Sequence, residues 1–147
     1  RGKNPDLIVI HTPYWISANV RDIVNGYVIG GHPGITQAYR GVHSPFWAIK
    51  NDDLSNLGYS IFWVDGGVDS GDIIQQGRII PEEGDSYFTL SWKGMFVIAT
   101  EIKKILSEID NVENIPRIKN THLADDTIFY HPTIFDYFRY RLKNKYR

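Results

Sequence analysis

Short apolar runs broken by glycine and proline fill the first half of the chain, and one long helical stripe fills the second. Positions 6–10 read Asp-Leu-Ile-Val-Ile behind Pro5. An unbroken apolar run of this length, too short for a helix, predicts a buried parallel strand. His11-Thr12-Pro13-Tyr14-Trp15 then forms the loop at its C-terminal end. Ser17 is placed to cap a short helix reaching Val24, and Asn25-Gly26 closes it. Positions 27–29 predict the next strand, and 30–34, Gly-Gly-His-Pro-Gly, a tight turn after it. Ser44 before Pro45 predicts a capped helix over 45–50 with proline at its first position. Positions 58–64 and 73–80 are β-rich and flank a Gly/Asp loop over 65–72, the pattern of an antiparallel hairpin with a long loop.

Ser86 opens the long helix. Phe88, Trp92, Met95, Phe96, Ala99, Ile102, Ile105, Leu106 and Ile109 recur at helical spacing, with Lys93, Lys103, Lys104 and Glu108 between them. That stripe predicts core packing rather than a cofactor box. Positions 111–130 are polar and irregular, and 134–143 predict a terminal helix with basic residues at its end. The basic tail over 139–147 reads as a solvated helix end, with a phosphate contact as the alternative. The organisation expected is a core over 1–110 and a C-terminal extension over 111–147 that packs on it.

Composition narrows the function classes. The chain has 147 residues, 42% hydrophobic and 22% charged, within the range of one soluble domain. A net charge of −1 gives no electrostatic case for nucleic acid or an anionic membrane. No apolar run approaches the roughly 20 residues of a membrane span. The absence of cysteine excludes disulfides, Cys-zinc sites and thiol catalysis, and fits a cytoplasmic location. The expected partner is a small-molecule substrate, with no nucleic acid and no membrane, and a homo-oligomer is left open. The start, Arg1-Gly2-Lys3, carries neither Met nor a signal peptide and stands almost directly before an apolar strand.

The chemistry concentrates between positions 30 and 72. His32 sits in a Gly/Pro turn and Asp69 in the next Gly-rich loop, and a His and an Asp on neighbouring strand-end loops can assemble a proton-transfer site. Asp65 and Asp72 read as loop-shaping residues through Asx-type hydrogen bonds. A calcium loop starting at Asp65 fails, because Ser70 takes its sixth position and Gln76 its twelfth. The glycines at 30, 31 and 34 give no dinucleotide fingerprint, and nothing in the spacing of His11, His32 and His43 favours a metal.

His32-Pro33, Tyr39-Arg40-Gly41 and Asp65-Gly66-Gly67-Val68-Asp69-Ser70-Gly71 together resemble the formyltransferases that use 10-formyltetrahydrofolate. The spelling HPGITQAYRGVHSPFWAI is closest to their sugar-nucleotide branch. The likeness covers about residues 5–110 and begins at the family's middle strands. It implies an α/β fold: the C-terminal part of a Rossmann-like formyltransferase domain, a mostly parallel sheet with an antiparallel hairpin and flanking helices. It implies formyl transfer from 10-formyltetrahydrofolate to a primary amine of a nucleotide-linked amino sugar. His32 and Asp69 match the family's catalytic His and Asp: a protonated imidazole donates to the oxyanion, and the carboxylate relays the amine proton. Gly30 stands where the family carries Asn, an oxyanion donor whose loss typically costs on the order of a hundred- to a thousand-fold in rate. The resulting readings are an impaired enzyme, a substitution that stops turnover, or a water or backbone amide in the missing role. By position, Ile10, His11, Tyr14, Trp15 and Ile16, with Asp65, Gly66, Gly67 and Val68, would line the folate pocket. Tyr39, Arg40 and His43 would contact substrate. The alternatives are a non-catalytic homologue that binds folate or nucleotide without turnover, and a truncated piece with no function of its own.

Overall fold

A computed structural model describes residues 5–121 and 127–144. Strands β1 (Ile8–Ile10), β2 (Val28–His32), β4 (Gly58–Trp63) and β5 (Ile73–Arg78) form one sheet in the order β1-β2-β4-β5. β1 and β2 run parallel, whereas β4 is antiparallel to both β2 and β5. A second, two-stranded sheet pairs β3 (Arg40–Gly41) in parallel with β6 (Ile128–Phe129). The α/β class, the hairpin and the flanking helices stand as expected. Antiparallel pairing extends one strand beyond the hairpin, because the chain returns from β2 to β4 alongside the sheet and reverses direction.

Helix α1 (Ala18–Asp22) follows β1, and α2 (Ser44–Lys50) lies between β3 and β4. The long helix α3 (Tyr87–Glu108) follows β5, and α4 (Ile134–Asn144) ends the chain's described part. All six residues of β4 are buried, which suits a strand paired on both edges. Ile29, Ile61, Trp63 and Ile74 from the sheet pack against Ile98 and Ile102 of α3 and Ile115 beyond it. A Cβ at Gly31 would stand 2.3 Å from the Ile98 Cγ2, so only glycine lets α3 lie this close to β2.

Four expectations need correction. First, β1 is only half-buried: Ile8 and Ile10 are partly covered and Val9 is 44% exposed, at one edge of the described sheet. Second, Gly30, Gly31 and His32 belong to β2 rather than to a turn, since β4 pairs with them residue for residue. Third, Ser44 lies inside α2 and makes no cap; His43, in the left-handed region at φ 59°, occupies the cap position. Fourth, α3 buries Leu90, Gly94, Ile98 and Ile102, whereas Phe88, Trp92 and Phe96 form an exposed row. The helix's start is as read: Ser86 and Thr89 form a reciprocal capping box.

Candidate active site

His32 ends β2 opposite Ser60 of β4, so the sheet fixes its backbone from below. Its imidazole is 8% exposed and bracketed on both sides. Nε2 lies 2.9 Å from the Tyr39 carbonyl and 2.6 Å from the Ser44 hydroxyl. A carbonyl only accepts, so this geometry suits a proton on Nε2. Nδ1 lies 3.5 Å from Asp69 Oδ2. Both nitrogens therefore face an oxygen, Nε2 at hydrogen-bonding distance and Nδ1 beyond it.

Asp69 reaches that position from a left-handed backbone at φ 48°, a conformation Asp adopts more readily than most residues. The same Oδ2 accepts the Gly41 backbone N–H at 2.8 Å, which ties the loop to β3. Asp65 shapes the loop's start: its Oδ1 accepts from Gly67 N at 2.8 Å and from the Ser70 hydroxyl at 2.7 Å. Asp72 faces outward, 3.7 Å from Arg117.

His32 and Asp69 line a cavity of about 490 Å³, of a size that suits a cofactor- or drug-sized ligand. Ile10, His11, Tyr14, Trp15 and Ile16 from the first loop and Asp65, Gly67 and Val68 from the second line it too. Gly66 lies outside the wall, and Gly30 is within it. Tyr14 and Trp15 are exposed and stand at its rim. Sequence reasoning did not name Phe62, Val64 and Met95, which also line the cavity. Met95 was counted in the core stripe; its place at the border between the exposed and packed faces of α3 was the available signal.

Tyr39, Arg40 and His43 do not line the cavity, although Gly41 and Val42 between them do. The Tyr39 hydroxyl donates to Asp53 Oδ2 at 3.1 Å and its ring packs 5.1 Å from Phe129. Burial pushes that hydroxyl's pKa up. Arg40 is buried in β3, paired with Ile128. His43 Nε2 lies 3.2 Å from His131 Nδ1, and burial first, then the neighbouring ring, lowers its pKa.

No protein-family model matches the chain. It is 29% identical over 108 residues to a GDP-perosamine N-formyltransferase of Brucella melitensis, covering 73% of this chain and 41% of that one. It is 32% identical over 126 residues to a methionyl-tRNA formyltransferase of Ehrlichia ruminantium, covering 84% of this chain and 40% of that one. In three dimensions it superposes on a formyltransferase of Anoxybacillus kamchatkensis solved with UDP-4,6-dideoxy-4-formamido-L-AltNAc and tetrahydrofolate. That match has a TM-score of 0.67 at 20% identity and covers 97% of this chain and 69% of that one. The chain spans about two fifths of the length of the curated relatives it matches.

Proposed function

We propose, from the premise that this chain is by sequence and fold a relative of the formyltransferases, that it carries their proton-handling centre. The reaction is formyl transfer from 10-formyltetrahydrofolate to the primary amine of a nucleotide-linked amino sugar. The observation that carries this reading is the pair His32 Nδ1 and Asp69 Oδ2, 3.5 Å apart on the wall of one cavity. The gap is long for a direct hydrogen bond, and both groups line the cavity, so one reacting group lying in it can meet both. His32, holding one proton at Nε2, donates from Nδ1 toward an oxygen that gains negative charge when it carries a second proton there. Asp69 takes the proton that the attacking amine sheds, directly or through one water, and that proton passes to the folate nitrogen as its bond to the formyl carbon breaks.

Both reactants are substrates, and the cavity's walls fit the donor. Its volume, the aromatic rim of Tyr14 and Trp15 and the polar loop over 65–69 suit a flat heterocycle that carries hydrogen-bonding groups. The amino-sugar acceptor is supported by the HPGI spelling, by the name of the Brucella relative and by the sugar nucleotide bound in the Anoxybacillus structure. The test is calorimetric titration with a stable 10-formyltetrahydrofolate analogue, beside His32→Ala and Asp69→Ala, followed by transfer assays with nucleotide-linked amino sugars. Saturable binding that Asp69→Ala weakens is expected. Absence of binding in every variant would sink the reading.

Gly30 favours a second reading, binding without turnover. It lies in the cavity wall with no side chain to offer, and the Val64 Cγ2 stands 2.9 Å from where a Cβ would project. Under that reading the analogue binds and no acceptor is formylated.

A further inference from the structure

Ser44 is 2% exposed and lies outside the cavity, so the chemistry above leaves it without a role. It opens α2 without capping it. Its hydroxyl donates to the Tyr39 carbonyl at 3.0 Å and its oxygen stands 2.6 Å from His32 Nε2. The carbonyl is itself 2.9 Å from Nε2, which closes a triangle of three polar atoms. A serine hydroxyl has one proton and two lone pairs. With the proton committed to the carbonyl, lone pairs face Nε2, and both partners of Nε2 are acceptors. The fold keeps this space open: a Cβ on Gly34 would lie 2.7 Å from Ser44 Oγ and 2.8 Å from His32 Nε2.

The opposite side of the ring pulls the other way. The Asp69 carboxylate at Nδ1 favours a neutral ring protonated there, which would turn the Nε2 lone pair against the Tyr39 carbonyl. We propose that Ser44 is a positioning residue that, together with the Tyr39 carbonyl, holds the proton of His32 on Nε2 and reserves Nδ1 for the cavity side. Its consequence for rate rests on the transfer reading given above; its effect on the ring does not.

The test is nitrogen-15 NMR of His32 in this chain, wild type, Ser44→Ala and Ser44→Thr, across the range in which histidine titrates. In the wild type the neutral ring is expected to carry its proton on Nε2. Ser44→Ala is expected to add a population protonated on Nδ1, and Ser44→Thr to keep the wild-type pattern. A wild-type neutral ring protonated on Nδ1, or a Ser44→Ala spectrum identical to wild type, overturns the assignment. If Ser44→Ala does not fold, the wild-type and Ser44→Thr spectra decide, because Nδ1–H in either one overturns it. Where transfer is measurable, Ser44→Ala should lower kcat about ten- to a hundredfold with the donor KM unchanged, as expected for a lost hydrogen bond to a charged group, and threonine should restore it. A chain that shows the proton shift but formylates no amine keeps Ser44's role and removes the transfer reading alone.

Discussion

One oxygen of Asp69 serves two neighbours, the Gly41 N–H and His32 Nδ1. Asparagine can keep the first contact through its carbonyl and tolerates the left-handed backbone, but it cannot take a proton. Asp69→Asn is therefore expected to melt close to wild type and to lose about 10²- to 10⁴-fold in transfer rate, read by thermal denaturation beside a single-turnover assay. Gly30 calls for a paired change. Asparagine at that position meets Val64, a stiff β-branched side chain, so Gly30→Asn alone should destabilise by about 1–3 kcal/mol through overpacking. Gly30→Asn with Val64→Ala should recover stability in urea melts and, if the Asn role is wanting in this chain, raise turnover. The motif itself made His32, Asp69 and Gly30 legible. The sequence did not reveal Ser44, because the reach of its hydroxyl to a ring twelve positions away depends on α2 folding back under β2.

At the level of elements, α3 tests how far periodicity can be trusted. The spacing of large apolar residues identified a helix and its cap, yet the face it marked is partly the solvent face. The packed face runs through Leu90, Gly94, Ile98 and Ile102, where small residues on both sides let helix and sheet approach: Gly31 under Ile98, and Gly94 beside Pro33. Phe96→Ser should change stability by no more than about 0.5 kcal/mol, as for an exposed site. Ile98→Ala should cost about 2–5 kcal/mol, as for a filled core position. Equal losses in chemical denaturation would mean that the aromatic row is covered in solution. β2 shows the converse limit. Its glycines read as a turn, and the ladders to β1 and β4 make them strand.

Across the whole molecule, the described C-terminal segment docks on α2 through several contacts. Trp47 Nε1 donates to the Tyr130 carbonyl at 3.1 Å, Lys50 pairs with Asp136 at 2.6 Å, and Tyr140 stacks on buried Phe46 at 5.0 Å. Hydrogen bonds from Lys50 first, then from Thr133, hold the Asp136 carboxyl well below the usual range. The same segment brings His131 to His43 and strand β6 to β3, beside the Gly41 N–H that holds Asp69. Because folding lowers the His43 pKa below its ordinary value of 6.5, the unfolded chain binds that proton first. Docking is thus fullest above that pH and weakens as pH falls through it, levelling off once the folded ring is also charged. Protection factors of β6 and α4 should fall at acidic pH before those of β4, and His131→Gln should reduce the response by removing the smaller of its two causes. A uniform fall in protection of both would exclude this origin. Among the described residues no helix is long and apolar enough to cross a membrane. Residues 145–147 of the basic tail lie outside those described. The sequence by itself determined the elements whose cause is local: the hairpin, the Ser86 cap, the Asx-shaped Asp65 loop and the loop that carries Asp69. The tertiary structure alone decided what depends on distant packing. It left β1 half-buried at one edge of the described sheet, kept Tyr39, Arg40 and His43 out of the cavity wall, added Val64 and Met95 to that wall and turned Ser44 toward His32, because burial and hydrogen-bond partners arise only where separate stretches of chain are brought together.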